Sequence, residues 1–168
     1  GKKRTRPDAR CGGTPDTVLV APGGDHNDAV AQTFRVLRDG KLVRVEVEIA
    51  EAPDGARFVV QLARAEPDGL PGAGFLVQRA VGPVPAIAPA QPRRIAADFP
   101  NPVAVRAGER WSIKVVGVLG IRFAVSLRLG DPCADGAAFL DDEPDQTVFV
   151  DPTGDRSGDL IYATFVRA

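Results

Sequence analysis

Hydrophobic and polar residues alternate with a period of two along several stretches of the chain. The clearest is KLVRVEVEIA, residues 41–50, where Val43, Val45, Val47 and Ile49 alternate with Arg44, Glu46 and Glu48. Successive side chains of a strand point to opposite faces, so this pattern predicts one buried and one wetted face. The same alternation predicts inward rows in three more strands: Phe58, Val60 and Leu62; Trp111, Ile113 and Val115; and Phe123, Val125, Leu127 and Leu129.

Seven further segments have the length and composition of strands. They cover residues 17–21, 30–37, 75–81, 93–99, 102–106, 147–150 and 159–166. Turn sequences such as RDGK (38–41) and APDGA (52–56) separate the strands. No segment between them is long and apolar enough for a crossover helix, which argues against a parallel sheet. The chain is therefore predicted to be all-β, a two-sheet antiparallel β-sandwich of jelly-roll-like topology.

The predicted strands divide the chain into two parts. Residues 17–168 are predicted to form a single β-sandwich domain, which is large enough to bury a hydrophobic core. Residues 1–16 are predicted to be a flexible basic lead-in, because GKKRTRPDAR is charged, poor in apolar residues and interrupted by proline.

Overall charge and hydropathy exclude two classes of partner. The 21 basic and 22 acidic residues give a net charge of -1, so nucleic acid is not an expected partner. No run approaches the roughly 18–20 apolar residues of a membrane-spanning helix, so membrane insertion is not expected either.

Cys11 and Cys133 are the only cysteines and lie far apart in the sequence. They have too few histidine partners for a zinc site, which leaves a disulfide or two free thiols. A Cys11–Cys133 disulfide is the prediction if the protein is exported, and it would tie the N-terminal segment to the GDPCADG loop.

RAEPDGLPGAGFL, residues 64–76, is rich in glycine and could in principle surround a phosphate. A phosphate-binding loop opens a helix and offers a lysine or hydroxyl at fixed spacing, whereas this segment leads into the strand-like FLVQRAV. It is predicted to be a connection in which Gly69 and Gly72 supply positive φ.

The polar side chains offer few candidates for catalysis and one candidate set for a metal ion. His26 is the only histidine, no G-x-S-x-G motif accompanies it, and most carboxylates lie in turns or on outward strand faces, so no catalytic residue is assigned. Oxygen ligands on loops suit Ca²⁺, and adjacent first and last strands would bring Asp25 or Asp28 near Asp159. These three aspartates are the candidate ligands of a structural calcium ion, and no other cofactor is expected. Loop-capping aspartates are the alternative.

The order of several motifs resembles the choice-of-anchor domains of secreted bacterial proteins. The motifs are AQTFRVLRDGKLVRVEVEI, EPDGLPGAGFL, IAADFPNPVAVRAGERWSIKVVG, DGAAFL and SGDLIYATFV. The resemblance covers roughly residues 30–167 and implies a β-sandwich module without assigned catalysis, located outside the cell or at its surface. DGAAFL departs from the family pattern, in which a Gly-Gly pair is usual.

These observations predict a non-catalytic extracellular or cell-surface module with a structural, adhesive or interaction role. Its expected partner is a cell-envelope component, either protein or polysaccharide. A carbohydrate-binding module is the alternative, and a hydrolase ranks below both. Sugar-binding sandwiches commonly stack pyranose rings on Trp or Tyr, but Trp111 and Tyr162 follow apolar rows and are predicted to lie in the core.

Overall fold

A computed structural model describes residues 4–133, 135–141 and 149–168. Apart from a short 3₁₀ turn at Val118–Gly120, its regular elements are strands. They are β1 (Thr5–Cys11), β2 (Thr17–Ala21), β3 (Ala29–Arg35), β4 (Gly40–Glu51), β5 (Ala56–Arg64), β6 (Val77–Val84), β7 (Arg93–Val105), β8 (Arg110–Gly117), β9 (Phe123–Arg128), β10 (Ala138–Asp141), β11 (Phe149–Val150), β12 (Asp159–Leu160) and β13 (Tyr162–Arg167).

Two antiparallel sheets pack face to face, which confirms the predicted all-β sandwich. Sheet I has seven strands, five of them in the order β1-β13-β4-β9-β12. The sixth, β2, pairs with β9, and the seventh, β7, pairs with β4 on the edge opposite β13. Sheet II has six strands in the order β11-β10-β3-β8-β5-β6. Among the described residues, β1 pairs only with β13 and so forms an edge of sheet I.

The core lies between the sheets and contains most of the predicted inward rows. Val45, Val47 and Ile49 of β4 face the rows of β5 and β8, and each is at most 1% exposed. Two predicted members lie elsewhere. A bulge in β4 puts Leu42 in the core and leaves Val43 half-buried, and Leu129 lies past the end of β9, where it is 45% exposed.

The prediction of a flexible lead-in is wrong for Thr5–Cys11, because these residues form β1. Its strand conformation follows from contacts with distant residues: it pairs with β13, and the buried Asp8 carboxylate accepts a hydrogen bond from the Leu37 backbone N–H over 2.9 Å. The sandwich therefore includes residues on both sides of the predicted boundary at residue 17. Residues 1–3 lie outside the described part.

Other strand boundaries also differ from the sequence prediction. Residues 93–105 form one strand where two were predicted, and the last predicted strand divides into β12 and β13. The strand Ala138–Asp141, which includes the last three residues of the DGAAFL motif and was not predicted, pairs with β3. Residues 147 and 148 of the predicted strand 147–150 lie outside the described part, and 149–150 form β11.

Residues 64–76 connect β5 to β6 and pack on the outer face of sheet II. Leu70 packs against Ala31, Ala137 and Phe139 of a small second cluster. Gly69 has the predicted positive φ of 87°, but Gly72 does not. Gly72 is required for a different reason: a Cβ there would lie 2.0 Å from the Arg64 carbonyl oxygen. The segment leads into a strand, as predicted.

A membrane-crossing helix would need a long apolar helical segment. Residues 4–133, 135–141 and 149–168 contain none that meets this requirement.

Candidate functional site

The structure does not bring Asp25, Asp28 and Asp159 together, so the calcium prediction is wrong for this set. Asp25 is exposed, whereas Asp28 and Asp159 are fully buried and have different partners. The prediction took strands 17–21 and 159–166 as neighbours, but β9 lies between β2 and β12. The turn with Asp25 and Asp28 follows β2 at the Phe123 end of β9, whereas Asp159 pairs with Arg128 at the other end. Within the described residues, no group of three or more His, Cys, Asp or Glu side chains is arranged to hold a metal ion.

Asp28 fixes the turn that precedes β3. Its Oδ2 accepts a hydrogen bond from the Gly23 backbone N–H at 2.5 Å, and its Oδ1 lies 2.8 Å from Nε2 of His26. The only imidazole of the chain is therefore held against a buried carboxylate at one end of the sandwich. Asn27 supports the same end, because its Oδ1 accepts a hydrogen bond from the Gly120 backbone N–H over 2.8 Å.

Asp159 belongs to a buried polar network between the sheets. Gln32 Nε2 donates to Asp159 Oδ1 over 3.0 Å, and the Cys133 backbone N–H donates to Oδ2 over 3.3 Å. Burial raises the pKa of Asp159 to about 6, although these donated hydrogen bonds favour the ionised carboxylate. Cys133 is joined to Cys11 by the predicted disulfide, so the network lies next to the covalent link that holds β1.

The single tryptophan and the single tyrosine are core residues, as predicted. Trp111 is 2% exposed and Tyr162 is 4% exposed, and both belong to the main core cluster. The Tyr162 ring lies 6.2 Å from that of Phe34, and burial raises the pKa of its phenol. Neither residue presents a face on which a sugar could stack. A carbohydrate site built on an exposed indole or phenol is therefore excluded.

Three clefts lie on the surface along β1. The first cleft, about 450 Å³, is lined by Arg4, Arg6, Arg38, Asp39, Val166 and Ala168. The second, about 380 Å³, includes Pro7, Arg10, Arg94 and Phe165. The third, about 280 Å³, includes Ala9, Arg10, Arg35, Leu37 and Asp135. Each cleft borders β1 and contains at least two arginines, and Arg10 lines both the second and the third.

We call the six arginines of these clefts the arginine band; they are Arg4, Arg6, Arg10, Arg35, Arg38 and Arg94. Three of them have an acidic neighbour: Arg35 lies 3.6 Å from Asp135, Arg38 lies 3.3 Å from Asp8, and Arg94 lies 3.4 Å from Glu46.

The other three band members, all exposed, come from β1 or the residue before it. Within the part of the chain that the structure describes, Arg4, Arg6 and Arg10 form no ion pair. Because their charge is not compensated locally, they leave the band able to attract anions.

Four hydrogen-bonding contacts and a disulfide anchor β1 beneath the band. Asp8 binds Leu37 and Arg38, whose guanidinium also donates to the Pro7 carbonyl oxygen. The Thr164 hydroxyl donates to the Ala9 carbonyl oxygen over 3.0 Å, and Cys11 is joined to Cys133. A bulge between Pro7 and Arg10 shifts the register with β13. Proline, a bulge and exposed arginines are features that discourage further strand pairing at a sheet edge.

The sequence alone does not reveal this site, because the basic N-terminal cluster has the composition of a flexible lead-in. The pattern that could have identified it is TRPDARC, residues 5–11, in which an acidic residue interrupts the basic run and a cysteine ends it. Those two residues anchor the strand. Arg35, Arg38 and Arg94 join the band only through the tertiary fold, so no local pattern predicts them.

Comparisons with known proteins extend the description of the fold. No protein-family model matches the chain, and no curated protein matches it. A clostridial cysteine protease, Cwp84 after propeptide cleavage, matches with a TM-score of 0.58 and 12% identity, over 92% of this chain and 38% of that one.

A second solved structure contains the cysteine protease and lectin-like domains of Cwp84, described as a surface layer associated protein of Clostridium difficile. It matches with a TM-score of 0.55 and 14% identity, over 85% of this chain and 32% of that one. The chain thus spans about a third of the length of these structures. At this level of identity, the similarity shows that the chain shares a fold with part of them.

Proposed function

We propose that the chain is a non-catalytic β-sandwich module of an exported protein, which acts outside the cell or at its surface. Its role is structural, adhesive or interactive, and its partner is a component of the cell envelope. The observation that carries this proposal is the anchored, arginine-lined edge at β1, combined with a core that contains the only tryptophan and tyrosine. Such a surface is suited to holding a ligand rather than to transforming it.

The disulfide supports export. Cys11, which is buried, and Cys133, which is half-buried, form a disulfide bond. Disulfides persist mainly in oxidising compartments outside the cytosol. The bond closes a loop of 122 residues and secures the strand that carries Arg6 and Arg10.

The comparisons supply a second line of support. The titles of the matching structures name a lectin-like domain and association with a surface layer. The shared fold supports a similar setting for this chain, as an accessory module next to other domains. The resemblance to choice-of-anchor domains supports the same setting.

Co-sedimentation with isolated cell envelopes of the source organism tests this proposal. The purified oxidised chain is expected to bind saturably and to release no soluble sugars or peptides from the envelopes. The chain carrying Cys11→Ser and Cys133→Ser is the control, and it is expected to bind more weakly because β1 is less firmly held. Absence of binding by the oxidised chain, or release of soluble products, would contradict the proposal.

A further inference from the structure

We propose that the arginine band binds an acidic polysaccharide, through anionic oxygens repeated along the glycan chain. This inference rests on the proposed function, because it names the class of envelope component that β1 recognises. Carboxylate groups and phosphate groups share the required chemistry, since an arginine fork can donate two parallel hydrogen bonds to either.

The spacing of the band fits an extended polymer. Arg4, Arg6 and Arg10 follow one another along a strand, which rises about 3.3 Å per residue, so together they span roughly 20 Å. The first cleft contains Arg38, the second Arg94 and the third Arg35. In the pairing with β13, Arg6 lies opposite Val166 on the inner face of sheet I, whereas Arg10 lies opposite Ala163 on the outer face, so the arginines line both sides of the β1 edge. A single small anion would occupy one cleft, whereas a flexible polymer with repeated anions can follow the β1 edge and contact arginines on both of its sides.

The electrostatics of the band favour anions without a strongly basic protein. The whole chain has a net charge of -1, so attraction of anions is a local property of the surface rather than of the molecule as a whole. Arg4, Arg6 and Arg10 have no described acidic partner to displace, and the anchored backbone of β1 reduces the entropy lost on binding. Two acidic side chains near the band already accept backbone hydrogen bonds. Asp8 accepts one from the Leu37 N–H, and Asp39 accepts one from the Ala107 N–H over 2.8 Å.

A polysaccharide fits this surface better than a folded protein or a nucleic acid. Stable protein interfaces have an apolar centre with aromatic anchors, whereas Leu37 is the one large hydrophobic residue more than about a third exposed that lines the described clefts. Nucleic-acid-binding domains usually carry a strongly basic overall charge, in contrast to the sequence pI of about 5.9.

The direct test measures binding to dextrans that share one backbone. Carboxymethyl dextran and phosphorylated dextran supply the two anionic groups, neutral dextran is the uncharged control, and poly-glutamate represents an acidic polypeptide. We expect one or both charged dextrans to bind, with affinity that falls as salt concentration rises. The double variant Arg6→Gln, Arg10→Gln is expected to bind at least about tenfold more weakly.

A matched variant controls for the loss of charge. Arg57→Gln with Arg79→Gln removes two exposed arginines of β5 and β6 and is expected to retain wild-type affinity. Melting temperatures of both variants establish that they are folded. Equal weakening in the two variants, equal binding of neutral dextran, or poly-glutamate binding as tight as that of the charged dextrans would overturn the inference.

The envelope assay separates this inference from the proposed function. If envelopes bind the chain but the charged dextrans neither bind nor compete, the ligand class is wrong and the proposed function stands. If envelopes do not bind, the proposed function itself fails.

Discussion

Gln32 of β3 and Asp159 of β12 form a buried hydrogen bond that links the two sheets. The Nε2 to Oδ1 distance is 3.0 Å, and both side chains are fully buried. Gln32 Oε1 also accepts the Leu160 backbone N–H over 2.8 Å, so the amide is satisfied on both sides. A polar residue in the inward row of β3, between Val30 and Phe34, is thereby accommodated in the core. The pair sets the position of β12 against sheet II.

This pair gives the stability of the fold a specific pH dependence. The pKa of Asp159 is raised from 3.8 to about 6, so the folded state binds the proton more tightly than the unfolded state does. The contribution of Asp159 to stability is therefore greatest below pH 3.8 and declines as the pH rises towards 6. The expected loss is about 3 kcal/mol across this window.

Denaturant unfolding of the wild type and of Asp159→Asn, measured at a series of pH values, tests this expectation. Other carboxylates titrate in the same range, so the relevant quantity is the difference between the two curves. The wild type is expected to lose stability relative to the variant between about pH 4 and 6. Parallel curves would show that Asp159 is not perturbed.

Removing the disulfide is expected to loosen β1 before the rest of the sandwich. The double variant Cys11→Ser, Cys133→Ser should lower the free energy of unfolding by about 2–5 kcal/mol, because the unfolded chain is no longer constrained. Hydrogen exchange should accelerate in Thr5–Cys11 while amides of β3 and β8 remain protected. Uniform acceleration in all strands, or none in β1, would contradict this local role.

Lys114 is expected to hold the 64–76 connection on sheet II. Its Nζ donates to the carbonyl oxygens of Gly74, over 2.6 Å, and Gly72, over 3.2 Å, and burial lowers the pKa of its ammonium group. Lys114→Met leaves these carbonyls without their donor and should cost about 1–3 kcal/mol. Limited proteolysis should then cleave the connection sooner. Lys41→Met, at an exposed position, is the control, and equal protease resistance in both variants would refute the role.

Gly72→Ala tests the close approach of the same connection to β5. The new Cβ would lie 2.0 Å from the Arg64 carbonyl oxygen, so the backbone must move, at an expected cost of about 1–3 kcal/mol. Gly12→Ala is the control, because a Cβ there meets no atom within 4 Å. Thermal unfolding of the two variants should differ clearly, and equal melting temperatures would show that the connection does not pack as described.

The sequence predicts those parts of the fold in which one strand face is buried along its whole length. The alternation in β4, β5 and β8 is of this kind, and it placed Trp111 in the core correctly. The prediction failed at Val43, because a bulge exchanges the inward and outward positions before Arg44 and the alternation of residue types does not show it. It failed at β1 as well, since Thr5–Cys11 becomes a strand through β13 and Cys133, at the far end of the sequence.

The candidate site was harder to predict than the fold. Asp25, Asp28 and Asp159 were grouped on an assumed adjacency of strands, and the actual strand order separates them. The arginine band combines Arg4 and two residues of β1 with Arg94 of β7, Arg35 of β3 and Arg38 of the turn that follows β3. Such a surface exists only after the strands are ordered, so residue spacing does not reveal it.

The most direct test of the account is an NMR titration of the isotope-labelled chain with carboxymethyl dextran or soluble envelope fragments. The account predicts that shift changes concentrate on the amides of residues 4–10 and on the side chains of Arg6, Arg10 and Arg94, while the Trp111 indole is unaffected. Shift changes centred on Trp111, or on the β5–β6 edge instead of β1, would contradict it.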